Sequence, residues 1–169
     1  YANVKDWGFG DYQDLMSGVD YLIDKGVVDI NEQYVMGWSY GGFMSSLAIT
    51  KGADVFKMAI AVAPVTSWRY YDNIYTERFM RTPQENAKGY DDNSPINHVS
   101  KLKGKYLLIH GSADDNVHYQ NSMEMVNAMV AADKQFDLFI YPNKNHGIYG
   151  GNTRNHLFQM MFNYIKKNL

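Results

Sequence analysis

Apolar residues recur along this chain with two different periods, and the period switches from segment to segment. In GDYQDLMSGVDYLIDKG, Tyr12, Leu15, Met16, Val19, Leu22 and Ile23 fall three or four apart, which predicts one apolar stripe on a helix. Asp11 and Asp14 suit the positive end of that helix, and Gly26 suits its stop. QYVMGW reads as a short strand, YGGFMSSLAITKG as a helix ending near Gly52, and KMAIAVAP as an apolar strand closed by Pro64. The pattern of SWRYYDNIYTERFM predicts one helix, and TPQENAKGYDDNSPIN a turn-rich loop with room for a helical turn. After these come a strand in KYLLIHG, a helix in YQNSMEMVNAMVAAD, a strand in QFDLFIYP and a closing helix in TRNHLFQMMFNYIKKNL.

Strands alternating with helices predict an α/β fold, a mostly parallel sheet with helices on both faces. MAIAVA and YLLIHG are nearly continuous apolar runs, as strands covered on two faces should be. In such folds functional groups gather beyond the carboxyl ends of the strands. Three segments put polar groups there: GWSYGG, HGSADDNVH and YPNKNHG.

Composition narrows the classes. The 169 residues fit one domain, and 46% hydrophobic with 20% charged residues suits a packed core. A net charge of −2 without a Lys/Arg-rich block gives no electrostatic support for nucleic-acid or membrane-surface binding. The absence of cysteine removes disulfides, thiolate metal sites and a cysteine nucleophile, and no cofactor or metal is expected. No apolar run reaches the roughly 18 residues of a membrane span.

Gly37-Trp38-Ser39-Tyr40-Gly41 fits the G-x-S-x-G nucleophile elbow, in the strand–turn–helix setting that motif needs. The sharp turn lifts the serine hydroxyl above the sheet, and side chains two positions to either side are expected to collide, hence two glycines. Gly42 lets the helix start close to the sheet, and the Tyr40 N–H would face an oxyanion. A serine needs a base, and the base needs an acid, in the chain order Ser, Asp/Glu, His. Asp114 follows one strand and His146 the next, so both can reach Ser39. Asp115 is the rival acid; His98, His110, His118 and His156 are the rival bases, with His110 read as buried structure on its strand.

These residues resemble the carboxyl-terminal part of the catalytic α/β-hydrolase domain of the prolyl oligopeptidase family. GWSYGGF, APVTSWRYYDNIYTERFM, LLIHGSADDNVHYQNS and NKNHGI carry the likeness, and YYDNIYTERFM points to its dipeptidyl peptidase branch. The resemblance implies Ser39 as nucleophile, Asp114 rather than Asp115 as acid, and His146 as base. Trp68, Tyr71 and Tyr75, spaced as a helical stripe, would line a flat aromatic box for proline, with Tyr40, Val65, Asn116 and Val117 completing the substrate-binding region. The implied activity is release of amino-terminal dipeptides with proline or alanine second. An acyl-peptide hydrolase, an oligopeptidase or a carboxylesterase is the alternative on the same fold, and a catalytically inert module the alternative from another class.

The family's amino-terminal strands, β-propeller and second oxyanion donor have no matching positions, so residues 1–169 are expected to be one partial hydrolase domain of a larger parent, itself weakly active or inactive. A periplasmic, secreted or membrane-associated parent is what the likeness implies. The strand QYVMG is expected to show an open edge, and residues 1–36 to mediate self-association.

Overall fold

The computed structural model describes residues 5–168. In chain order it places α1 at Phe9–Asp24, β1 at Gln33–Trp38, α2 at Tyr40–Lys51 and β2 at Phe56–Val62. A 3₁₀ turn at Trp68–Tyr70 precedes α3 (Asn73–Met80) and α4 (Ala87–Asp92), and a second, at Pro95–Lys101, leads to β3 (Lys105–Gly111). The chain then forms α5 (Gln120–Ala131), β4 (Asp137–Tyr141) and α6 (Thr153–Asn168).

Among the described residues the strands make one four-stranded sheet in the order β1-β2-β3-β4, every pair parallel. Period-two alternation divides the core. On one face Ala59 and Ala61 of β2 and Tyr106 and Leu108 of β3 pack with Ala48 and Ile49 of α2 and Met125 and Met129 of α5. On the other, Ile60, Val62, Leu107 and Ile109 pack with Leu157 and Met161 of α6. The register pairs Trp38 with Val62, Val62 with Ile109, and Gly111 with Tyr141. The carboxyl ends of the strands are therefore nearly level, and the loops that leave them share one rim.

Several elements differ from expectation. SWRYYDNIYTERFM is a turn and a helix, not one helix: Tyr71 is extended, and the Asp72 carboxylate accepts the Ile74 N–H at 2.9 Å as the cap of α3. A short acidic side chain wins more at a helix start than inside a helix, so it splits the run. Trp68, Tyr71 and Tyr75 thus do not share a helix. The loop predicted over TPQENAKGYDDNSPIN holds α4 and the second 3₁₀ turn, anchored by buried Tyr90, whose hydroxyl donates to the Arg81 carbonyl at 2.6 Å. On α1, Val19 is buried but Leu22 faces solvent. Among the described residues β1 is an edge strand paired with β2 alone, and Met36 on it is exposed.

Candidate active site

Ser39 sits between the end of β1 and the start of α2 with φ 58° and ψ −115°, a conformation that costs a non-glycine residue about 1–3 kcal/mol. Its N–H donates to the Val62 carbonyl at 2.8 Å and its carbonyl accepts from Phe43 N–H at 2.9 Å, which hold the turn. A Cβ on Gly37 would lie 2.2 Å from the Gly41 backbone, and one on Gly42 would lie 2.9 Å from the Val62 carbonyl. At Gly41 a Cβ would meet nothing within 4 Å, so the expected collision exists on one side of the serine only. Gly37→Ala is therefore expected to lower Tm sharply, and Gly41→Ala to leave it nearly unchanged; a thermal melt of the two variants checks this.

Asp114 follows β3 and His146 follows β4. The Asp114 side chain is inaccessible to solvent and His146 is about a quarter exposed, 24%. His146 Nδ1 lies 2.7 Å from Asp114 Oδ2. A carboxylate only accepts, so Nδ1 carries the hydrogen and Nε2 is left as the acceptor. Asp114 Oδ1 accepts the N–H groups of Asn116 and Val117, both at 3.0 Å. Burial alone would raise the pKa of Asp114; hydrogen bonds from His110, His146 and Asn116 N–H outweigh it and hold the carboxyl well below the usual range. Asp115 is exposed and faces away from this couple into a polar cleft.

The loops that carry Asp114 and His146 are laced together. Ala113 N–H donates to the Lys144 carbonyl at 3.0 Å, and Asn143 N–H to Ser112 Oγ at 2.9 Å. Trp38, next to Ser39, donates its indole N–H to the His146 carbonyl at 3.0 Å and so ties the His146 loop to the elbow. Among the described residues the Ser39 hydroxyl makes no hydrogen bond, so the serine–histidine link is open in this conformation, as it often is without substrate. The Tyr40 N–H belongs to the first turn of α2, where N–H groups lack intrahelical partners.

Beside Ser39, Tyr40, Val65, Trp68, Tyr71 and Tyr75 enclose a recess of about 30 Å³, room for about one water. The rings stand edge to face, Trp68–Tyr71 at 6.1 Å and Tyr71–Tyr75 at 5.5 Å. Tyr71 also borders a cleft of about 800 Å³ that includes Arg69, Asp72, Asp115, Asn116 and His118. The Tyr71 hydroxyl donates to Asn116 Oδ1 at 2.8 Å across that boundary. Asn116 thus lies outside the recess, and Val117 is fully buried beneath it, packed with Val65 and Trp68. Val117 therefore stands behind the wall of the recess, folded inward by the Asp114 turn, while Asn116 is exposed and lines the neighbouring cleft.

Other histidines are engaged elsewhere: His98 with the Asp92 carbonyl at 2.7 Å, His156 with the Tyr141 hydroxyl at 2.7 Å. Three contacts around the site went unread in the sequence, although Asp11 is read there as a helix start and His110 as buried structure. Trp7 packs on Trp68, Tyr75 and Tyr40 at 4.7, 5.2 and 5.6 Å. Asp11 accepts from the Tyr40 hydroxyl at 2.9 Å. His110 contacts Asp114. A lone aromatic ahead of a helix carries no periodic signal, but an Asp at the third helical position is a readable anchor. Among the described residues no cluster of His, Asp and Glu is arranged for a metal ion, and no helix is long and apolar enough to cross a membrane.

A parallel sheet whose first described strand turns through a strained Ser39 into a helix is the α/β-hydrolase class. Within that class the chain belongs to the prolyl oligopeptidase family, whose model matches residues 2–169. It is 41% identical to mouse (Mus musculus) prolyl endopeptidase FAP over 170 residues, 99% of this chain and 22% of that protein. It is 39% identical to cat (Felis catus) dipeptidyl peptidase 4 over 163 residues, 95% of this chain and 21% of that one. The crystal structure of Porphyromonas gingivalis dipeptidyl peptidase 4 superposes with a TM-score of 0.95 at 44% identity, covering 99% of this chain and 24% of that chain. The chain thus spans about a fifth of the length of the curated relatives it matches.

Proposed function

We propose that this chain carries the acyl-transfer centre of a serine peptidase that releases amino-terminal dipeptides with proline, or alanine, at the second position. The observation that supports this most is the Asp114–His146 couple at 2.7 Å, tied through Trp38 to the strained Ser39 elbow. In this reading Ser39 Oγ attacks the carbonyl carbon of the second residue, proline or alanine, and the amide bond to the third residue breaks. His146 Nε2 takes the hydroxyl proton and passes it to the leaving amine, while Asp114 holds the ring and balances its charge. The Tyr40 N–H donates to the oxyanion. Water then deacylates Ser39 by the same proton route. Proline lacks an N–H and is rigid, so shape and ring contact select it. The recess must widen to admit it, and Tyr75, 43% exposed, is the wall with room to move.

The test compares Gly-Pro-anilide, Gly-Ala-anilide, acetyl-Ala-anilide and a short acyl ester on the full-length protein. The dipeptide anilides should be cleaved, with proline favoured. Tyr71→Ala and Tyr75→Ala should each cut the proline-over-alanine preference about 2- to 13-fold, the worth of one aromatic contact. Preference for acetyl-Ala-anilide or the ester would favour the acyl-peptide hydrolase or esterase reading instead.

Self-association belongs to the same reading. The open edge of β1 and the exposed Tyr21, Val27, Ile30 and Met36 support it. Light scattering of the 169-residue chain should show mass rising with concentration; a monomer at every concentration overturns it.

A further inference from the structure

The roles given to Ser39, Asp114 and His146 leave one fully buried ring unused. His110, on β3, is inaccessible to solvent. Its Nε2 stands 2.9 Å from the Val117 carbonyl and 3.1 Å from Asp114 Oδ2. Both partners only accept, so Nε2 carries hydrogen. Its Nδ1 lies 2.6 Å from Ser122 Oγ on α5, and in the neutral ring it accepts that hydroxyl. A ring that served the core alone would be satisfied by Ser122 and the Val117 carbonyl. The contact to Asp114 is additional, and it falls on Oδ2, the oxygen that receives His146 Nδ1.

The other oxygen, Oδ1, is already taken by two backbone N–H groups. The carboxylate is thus clamped on three sides, and one direction remains for His146. We propose that His110, held in turn by Ser122, is a positioning residue for the acid–base couple: by occupying one lone pair of Asp114 Oδ2 it fixes where the other meets His146. This rests on the reading of Asp114 and His146 as the acid and base of a serine peptidase. The chain of contacts runs from α5 through β3 to the rim, so the helix behind the sheet takes part in aiming the base.

The experiment uses the full-length protein and three variants. His110→Phe keeps a ring but removes both nitrogens. His110→Gln restores a donor toward Asp114. Ser122→Ala releases only the far side of the ring. For each, kcat and KM on Gly-Pro-anilide, the rate of Ser39 labelling by a fluorophosphonate, and the downfield proton NMR signal of His146 Nδ1–H are measured. His110→Phe should lower kcat and the labelling rate about 10- to 100-fold, the scale by which losing the partner that orients a metal-binding side chain lowers activity, with KM unchanged and the resonance displaced. His110→Gln should recover most of the rate and return the resonance. Ser122→Ala should show a smaller loss in the same direction, and it decides the matter if His110→Phe does not fold. Wild-type kcat with an unmoved resonance in His110→Phe, a loss confined to KM, or equal loss in His110→Gln would overturn the proposal. A wild type that neither labels nor cleaves would overturn the peptidase reading instead, and the His146 resonance would then decide the positioning role by itself.

Discussion

Ser39→Ala is expected to abolish turnover, a loss of about 10⁶-fold in kcat, the scale seen when a serine peptidase loses its nucleophile. Fluorophosphonate labelling should vanish with it, and mass spectrometry of the wild type should find the adduct on Ser39. Labelling at another residue would refute the assignment. The same position makes a second, opposite demand. Its φ of 58° and ψ of −115° suit glycine and strain any side chain. Ser39→Gly should be as inactive as the alanine variant yet more stable, because it releases about 1–3 kcal/mol of backbone strain and gives back part of it as chain entropy. A net gain of about 1 kcal/mol corresponds to a Tm about 2–4 °C higher. A variant that gains stability while it loses function marks strain held for the site.

Asp114→Asn should cost about 10⁴-fold in kcat with little effect on KM. The neutral amide no longer enforces the His146 tautomer or balances the charge the ring acquires. Stability should fall too. Two histidines and two N–H groups converge on this carboxylate. Breaking such a buried set costs about 3–5 kcal/mol, or roughly 6–20 °C in Tm. The pH dependence has a definite sign. The folded-state pKa of Asp114 lies below its unfolded value, so the stabilisation is complete above the ordinary carboxylate pKa of about 3.9. It is lost as pH falls from there through the depressed value. The Tm gap between wild type and Asp114→Asn should therefore be widest near neutrality and should close as pH drops below about 4. A gap independent of pH in that range would show that the charge of Asp114 contributes nothing to the fold.

Much of this is written in local pattern. β2 and β3 are legible because helices cover both their faces and leave no polar alternation to confuse them. Ser39 is legible because its motif needs a strand before it and a helix after it, and both have clear periodicity. Asp114 and His146 follow because strand ends are easy to place even when the loops are not.

What escapes the sequence depends on tertiary contact. Residues 68, 71 and 75 have helical spacing, but a turn followed by a capped helix brings the same three rings to one recess. Asp72 decides between those structures by a cap that spacing cannot reveal. Gly41 fits the motif yet meets no steric need, whereas Gly37 does. Leu22 completes an apolar stripe on paper, but no described neighbour covers it. His110 reads as one more apolar-strand residue until the fold turns the chain back and sets Asp114 beside it. Trp7, far from Trp68 in the chain, shows the same limit: two indoles 4.7 Å apart leave no local trace.

The bonds that lace the Asp114 loop to the His146 loop also decide how this rim can breathe. Ala113, Ser112 and Asp114 each hold a partner in the segment from Asn143 to His146, and the Trp38 indole fastens that segment to the end of β1. No one of these loops can lift away alone without breaking bonds in its neighbour, so thermal opening here is cooperative, one unit rather than three flaps. Rare opening events then remove the surroundings of Ser39 all at once, and between them the loops keep their mutual bonds. A population of such molecules holds laced rims and fully opened ones, with few half-open rims between.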